Sequence, residues 1–143
     1  MERRDFMTGL GVAAATVAAS SVLAQDHSEH SNRAAPNQTL INDASQCVSA
    51  GEVCLTHCQE MLAQGDKSLA DCAKSVRELV TVCGGLRSLA AQNAPILPKY
   101  ASLAADVCKG CESQCRKHES QHAVCKACAD ACAACYTECK KVA

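Results

Sequence analysis

Five cysteines near the end of the chain follow a spacing that few structures can accommodate. In the run CKACADACAACYTEC, at positions 125–139, successive thiols are 3, 4, 3 and 4 residues apart. At about 100° per residue of an α-helix, these side chains fall within an arc of about 80°. The spacing therefore predicts a helix with a stripe of sulfur where a bundle helix normally carries leucine or isoleucine.

Three earlier segments repeat this arrangement, with cysteines sharing one face of each predicted helix. On the second helix the seam is completed by Val76, Leu79 and Leu86. All thirteen cysteines are therefore predicted to point inward: Cys47, Cys54, Cys58, Cys72, Cys83, Cys108, Cys111, Cys115, Cys125, Cys128, Cys132, Cys135 and Cys139.

Helix start and stop signals divide the chain after residue 40 into four segments. Asn42 or Asp43 marks the start of the first, Ser68 with the motif SLAD the start of the second, and Pro98 the start of the third. The predicted helices cover about 41–64, 68–92, 98–118, and from after 120 to 140 or 141. Since the connections are short, the fold class is all-α: an antiparallel up-down-up-down four-helix bundle with a Cys-lined core.

The first 39 residues carry different signals. Residues 1–24 form an expected leader, in which Arg3 and Arg4 precede a mildly apolar, alanine-rich run with cleavage after Ala24. The paired arginines resemble a twin-arginine leader, which implies export of an already folded protein. An ordinary secretory leader is the alternative. Residues 25–39 are polar and are expected to form a flexible arm, leaving 40–143 as the bundle.

The composition excludes several classes of function. The formal net charge is −1 and aromatic residues make up 2% of the chain, so no charged field points to nucleic acid. The leader is too short and too weakly apolar for a convincing membrane span, and none is expected in the mature chain. The chain is not expected to be an enzyme, because its CxxC pairs lack the βαβ pattern of thiol oxidoreductases.

Three explanations of the thiols compete. Cysteine is a small apolar core residue, but leucine or valine would bury more surface without an oxidation hazard. Disulfides would make the chain a stapled structural or interaction module, although thirteen is an odd number and leaves one thiol over. Metal binding fits the spacing better, because two sulfurs bridged by a metal lie up to about 4.6 Å apart, within reach of i, i+4 cysteines.

Softness and charge favour Cu(I) among the metals that thiolates bind. Zinc prefers closed sets of four ligands, and the loop motif of cluster-binding ferredoxins is absent from the sequence. Cadmium or silver would fit as surrogates. One Cu(I) per thiolate would leave a buried core neutral and so avoid the cost of burying charge. We therefore expect multiple Cu(I) ions per chain, roughly one for each cysteine.

A Cys-x3-Cys-lined four-helix bundle behind a twin-arginine leader is similar to the copper storage proteins of methane-oxidising bacteria. The resemblance covers the whole mature bundle, and the CxxCxxxCxxCxxxC stripe carries it most specifically. It implies that all thirteen cysteines are ligands and that the protein is a homotetramer. It also implies storage of Cu(I) for a copper enzyme such as membrane-bound methane monooxygenase. The twin-arginine-like leader makes the periplasm or the lumen of intracytoplasmic membranes the expected location.

The resemblance also implies a copper uptake site made of histidine and methionine at one end of the bundle. His57 and Met61 match, since both lie on the Cys54 and Cys58 side of the first helix. A surface histidine and a core methionine are the plainer interpretations. His118 and His122 are expected to be solvated turn residues, and metal binding by any of the remaining histidines stays open: His27, His30, His118 and His122. Gly51, Gly84, Gly85 and Gly110 are expected to permit close helix approach.

Overall fold

The computed structural model describes residues 35–143, and within this range the chain forms four α-helices and no β-strand. They are α1 (Gln38–Ala63), α2 (Ala70–Ala91), α3 (Leu97–Arg116) and α4 (Ala123–Val142), with one 3-10 turn, Lys67–Leu69, ahead of α2. This confirms the predicted all-α fold class. None of the helices in this range has the length and apolar character needed to cross a membrane. The expected leader (1–24) and most of the expected arm (25–39) lie outside the described residues.

The four helices form a closed ring. Each packs against its neighbours along the chain, and α1 packs against α4. The connecting segments 64–69, 92–96 and 117–122 are short, so consecutive helices run antiparallel, as predicted. Segments 64–69 and 117–122 therefore lie at the same end, called here the upper end. Segment 92–96 lies at the opposite, lower end, together with the start of α1 and the end of α4.

Helix α1 begins earlier than its predicted start at residue 41. Asn37 adopts a left-handed backbone conformation with φ of 64°, and its carbonyl accepts a hydrogen bond from the Ile41 N–H at 2.9 Å. Gln38 is therefore the first helical residue. Asn42 and Asp43, predicted as start signals, lie within the helix, where the Asn42 side chain accepts a hydrogen bond from Gln38.

The predicted start of the second helix at Ser68 is also wrong. The Asp66 carboxylate accepts a hydrogen bond from the Ser68 backbone N–H at 2.9 Å, and a 3-10 turn intervenes before α2 begins at Ala70. Asp66, which precedes the motif SLAD, thus accepts the free backbone N–H of Ser68, and the expected capping box does not form. The third helix begins at Leu97, one residue before the predicted Pro98, which lies in its first turn, where its missing N–H costs nothing.

The core changes character along the bundle axis. At the lower end it is aliphatic, built from Leu40, Leu86, Ala90 and Leu97, all at most 3% exposed. From the middle to the upper end, cysteines take over most of the buried positions. No polar or charged residue is buried anywhere in 35–143. Leucine side chains therefore close the lower end of a core that is otherwise rich in sulfur.

Two of the four glycines predicted to permit close helix approach do so. A Cβ at Gly51 would lie 2.8 Å from Val80 Cγ2, and one at Gly85 would overlap the Tyr100 hydroxyl. At Gly84 and Gly110 a Cβ would meet nothing within 4 Å. The prediction is therefore wrong for these two positions, which face open space.

Candidate metal centre

All thirteen cysteines point into the bundle, and none is more than 1% exposed. Each helix contributes at least two of them. The 3-4 spacing explains this directly, because residues three and four apart lie on the same helix face. The sequence therefore located the sulfur atoms on the bundle axis, but not their mutual distances.

No cysteine in the described range forms a disulfide. The sulfurs nevertheless lie close together: 3.6 Å separates Cys72 from Cys115, and 3.8 Å separates Cys83 from Cys108. A disulfide bond measures about 2.05 Å, whereas two thiolates on one metal lie up to about 4.6 Å apart. The observed separations therefore suit bridging by a metal ion.

Four sulfurs toward the lower end form one group, with a single cysteine from each helix. All four lie within 4.8 Å of one another: Cys47, Cys83, Cys108 and Cys135. Nearer the upper end, α1, α2 and α4 supply a second group of four, which includes the i, i+4 pair of α1: Cys54, Cys58, Cys72 and Cys125. Each group offers four ligand atoms within the span of one coordination sphere or a small cluster.

Two groups of three extend the upper group along the bundle. Cys54, Cys115 and Cys128 lie within 4.8 Å of one another, as do Cys111, Cys128 and Cys132. Since Cys54 also belongs to the upper group and Cys128 belongs to both trios, the sulfurs form an extended series. We call the thirteen sulfurs the thiol column. Twelve of them belong to at least one group, and the remaining one, Cys139, is also buried on the α4 stripe.

The electrostatics of the thiol column oppose ionisation of every thiol at once. Burial raises the pKa of the Cys125 thiol, and the nearby charge of Cys54 adds to this effect. At Cys111, hydrogen bonds from Cys115 and Cys128 hold the pKa below its ordinary value instead. A thiolate that accepts hydrogen bonds from neighbouring S–H groups is stabilised, but those neighbours must keep their protons in order to donate. Most thiols of the metal-free column therefore stay protonated.

Histidines lie at the upper end. His57 Nε2 and His122 Nδ1 are 2.9 Å apart, and the rings of His118 and His122 are 6.5 Å apart between centroids. His122 is half-buried and partnered, so the expectation that it is a solvated turn residue is wrong. His118 lies in the 117–122 turn, as predicted, and is also half-buried. Met61 is partly buried and packs against the core.

Sequence reasoning missed the His57–His122 pair because its members are 65 residues apart. His122 lies in a turn, where helical periodicity gives no information about orientation. The only signal in the sequence was topological: in an antiparallel bundle, the end of the first helix and the turn before the fourth meet at the same end.

The model of a known family, described as copper storage protein, matches residues 33–143. This chain belongs to the copper storage protein family. The match covers every cysteine of the thiol column, both members of the His57–His122 pair and all four helices. The family is defined by metal storage rather than by catalysis, which agrees with the expectation that the chain is not an enzyme.

Proteins of Bacillus subtilis resemble this chain over most of their length. The chain is 30% identical to the uncharacterised cysteine-rich protein YhjQ of Bacillus subtilis over 107 residues, which are 75% of this chain and 95% of YhjQ. Apo-Csp3 from Bacillus subtilis superimposes with a TM-score of 0.66 at 28% identity, covering 74% of this chain and 97% of Csp3.

Copper-loaded members of the family share the fold. The Cu(I)-bound copper storage protein BsCsp3 matches with a TM-score of 0.68 at 30% identity, over 75% of this chain and 97% of its own. The copper storage protein Ccsp from Streptomyces lividans, loaded with 10 copper equivalents, gives a TM-score of 0.68. It is 22% identical, over 75% of this chain and 83% of its own, and so supports the fold alone.

Proposed function

We propose that this chain stores multiple Cu(I) ions, roughly one for each of its thirteen cysteines. The thiol column is the observation that carries the proposal, since twelve of its sulfurs belong to groups that fit within 4.8 Å. The Cu(I)-bound state of BsCsp3, which shares the fold at 30% identity, supports the choice of metal. Thirteen sulfurs far exceed what a single structural or catalytic metal requires.

Coordination and charge favour Cu(I) over zinc in this core. Cu(I) is a soft ion that thiolates select, and one Cu(I) per thiolate leaves the buried column neutral. Zinc with four thiolates carries a net charge of about −2, which a core without buried polar groups cannot compensate. Only the two groups of four offer zinc a complete ligand set, so zinc would leave the remaining thiols empty.

The alternative, a disulfide-stapled module, is separated from storage by counting free thiols. The exported protein is denatured anaerobically without reductant and its thiols are titrated with Ellman's reagent. Storage predicts about thirteen free thiols per chain after removal of copper. A disulfide module leaves only a few, and it takes up no Cu(I) when purified.

We also propose that His57, Met61 and His122 form the copper uptake site at the upper end. Imidazole and thioether bind Cu(I) more weakly than thiolates, so they suit exchange rather than storage. His57 precedes Cys58 of the upper group along α1, and His122 lies 2.9 Å from His57. In stopped-flow loading, His57→Ala and His122→Ala should slow uptake while the final copper content stays nearly the same. Unchanged loading rates would remove the histidines from the route.

Export through the twin-arginine pathway remains a proposal that rests on the leader sequence. Arg3 and Arg4 precede the apolar run in residues 1–24. Replacing both arginines with lysine should retain a fused reporter in the cytosol, whereas an ordinary secretory leader would tolerate the change. The location is accordingly proposed to be the periplasm or the lumen of intracytoplasmic membranes.

Assembly and delivery complete the proposed function. Ile96 and Leu103 are large apolar side chains at least 50% exposed that line the same surface groove, which supports burial against other copies in a homotetramer. Sedimentation equilibrium of the mature chain distinguishes a tetramer from a monomer.

The proposed client is a copper enzyme such as membrane-bound methane monooxygenase. Restored activity of the copper-depleted enzyme after mixing with the loaded protein tests delivery.

A further inference from the structure

A second approach to the sulfurs lies on the side of the bundle. A groove of about 410 Å³ runs between α2 and α3, and no histidine lines it. Ser75 and Glu78 border it from α2, and Asp106 and Gln114 border it from α3. Cys111 is the one lining residue that is buried, so its side chain lies at the bottom of the groove.

Cys111 connects this groove to the interior of the thiol column. Its sulfur lies 3.9 Å from that of Cys115 and within 4.8 Å of those of Cys128 and Cys132. A Cu(I) ion bound by Cys111 could therefore be transferred to any of these three thiols by a single ligand exchange. The groove reaches the middle of the column without passing through the upper group of four.

The side chains that border the groove attract Cu(I) but bind it weakly. Glu78 and Asp106 are exposed carboxylates, and two negative charges beside the groove raise the local concentration of a cation. The Ser75 hydroxyl donates to the Cys72 carbonyl at 2.9 Å, which fixes its position at the rim. Hydroxyl and carboxylate oxygens are hard ligands that hold Cu(I) weakly. An ion that enters is thus passed to the first soft ligand, the Cys111 thiol.

Gly110 keeps the groove open above that thiol. It is an exposed position within α3, where glycine costs about 0.5–1 kcal/mol relative to alanine. Gly51 is required because a Cβ there would lie 2.8 Å from Val80, but a Cβ at Gly110 would meet nothing within 4 Å. A longer side chain at position 110 would extend into the groove that the residue lines.

We propose that the groove between α2 and α3 is a lateral exchange site, through which Cu(I) enters or leaves the thiol column at Cys111. The inference rests on the proposed storage function. Transfer is ligand exchange without a redox change: the Cys111 sulfur bonds to Cu(I), its proton leaves to water, and the bond from Cu(I) to its carrier breaks. The site would serve a small thiol or chelator complex that delivers or removes single ions.

The first test measures removal of Cu(I) from the fully loaded protein by excess bathocuproine disulfonate. Gly110→Leu, which places a bulky side chain in the groove, should slow removal about threefold or more while copper capacity stays unchanged. Gly110→Ala adds only one methyl group and controls for helix propensity. Gly84→Leu places the same side chain at another open position, and both controls should retain the wild-type rate. Equal rates in all four proteins would overturn the proposal.

The second test needs no copper and so separates this inference from the storage function. Reduced apo protein is treated briefly with iodoacetamide, and peptide mass mapping gives the labelling rate of each cysteine. Cys111 should react faster than Cys108, its neighbour along α3, and Gly110→Leu should remove that advantage. Labelling of Cys111 at the rate of Cys108, or no effect of the substitution, contradicts the lateral site. A wild-type protein that binds only one or two Cu(I) would instead contradict storage itself.

Discussion

At the scale of single residues, the core depends on side chains that are short and end in sulfur. A cysteine fills less volume than a leucine, so neighbouring helices approach closely and bring sulfurs from different helices to 3.6–3.8 Å. Small residues beside the thiols, such as Ala129 and Ala131, allow this approach and are themselves buried. Glycine serves the same purpose where α1 meets α2, at Gly51.

Gly51→Ala should therefore destabilise the reduced apo protein. The added Cβ would lie 2.8 Å from Val80 Cγ2, and a β-branched side chain in a helix has one preferred rotamer, so it cannot turn away. We expect a loss of about 1–3 kcal/mol in the free energy of unfolding, measured by urea denaturation. Gly84→Ala is the matched control and should instead gain up to about 1 kcal/mol, because its Cβ meets nothing. Equal effects at both positions would contradict the packing.

The buried thiols predict how the stability of the apo protein depends on pH. Folding raises the pKa of eight cysteines, including Cys47 and Cys125, from an ordinary value near 9.0, and lowers it for four. Where the pKa is raised, the unfolded chain loses its proton first, so stability is present below pH 9.0 and is lost as pH rises.

We therefore expect the free energy of unfolding to fall between about pH 9 and about pH 11 in anaerobic urea denaturation, since the pKa of Cys58, for example, is raised to about 11. Saturation with Cu(I) should abolish most of this dependence, because the metal replaces the thiol protons. A free energy of unfolding that stays level or rises between about pH 9 and about pH 11 would contradict the raised pKa values of the buried thiols.

At the scale of helices, the sequence predicts faces more reliably than ends. The 3-4 spacing of α4 fixed which side of the helix turns inward, because helix geometry alone determines it. The start of α1 at Gln38 was missed, since Asn37 caps it by a left-handed backbone rather than by a side-chain hydrogen bond. The grouping of sulfurs was beyond sequence reasoning, because it depends on the axial register of four helices. The His57–His122 contact depends on the same register.

The turn between α3 and α4 is held by charges as well as by its backbone. Arg116 pairs with Glu119 at 2.8 Å and with Asp130 of α4 at 2.7 Å. Arg116→Ala should lower the stability of the apo protein slightly at low salt, and the difference should vanish near 1 M salt, where screening acts over about 3 Å. Lys74→Ala, which removes an exposed pair with Asp71 confined to α2, is the control. A loss that persists at high salt would indicate packing by the arginine stem instead.

At the scale of the whole molecule, we expect the bundle to fold without metal. Leucine side chains close its lower end. The buried thiols pack in the core as small apolar groups while they remain protonated. We expect a strongly helical circular dichroism spectrum from reduced apo protein, and a higher melting temperature as Cu(I) is added, because the metal binds the folded state. A random-coil spectrum without metal would show that copper drives folding, as zinc drives the folding of small zinc domains.

The central claim is capacity, and it is tested most directly by the number of Cu(I) ions that one chain binds. Reduced apo protein is titrated anaerobically with Cu(I) in the presence of a chromogenic chelator, and protein and copper are quantified independently. The thiol column predicts tight binding of about thirteen Cu(I) ions per chain, about one for each cysteine. Saturation at about one or two ions would contradict storage and would indicate a copper chaperone or a single metal site instead.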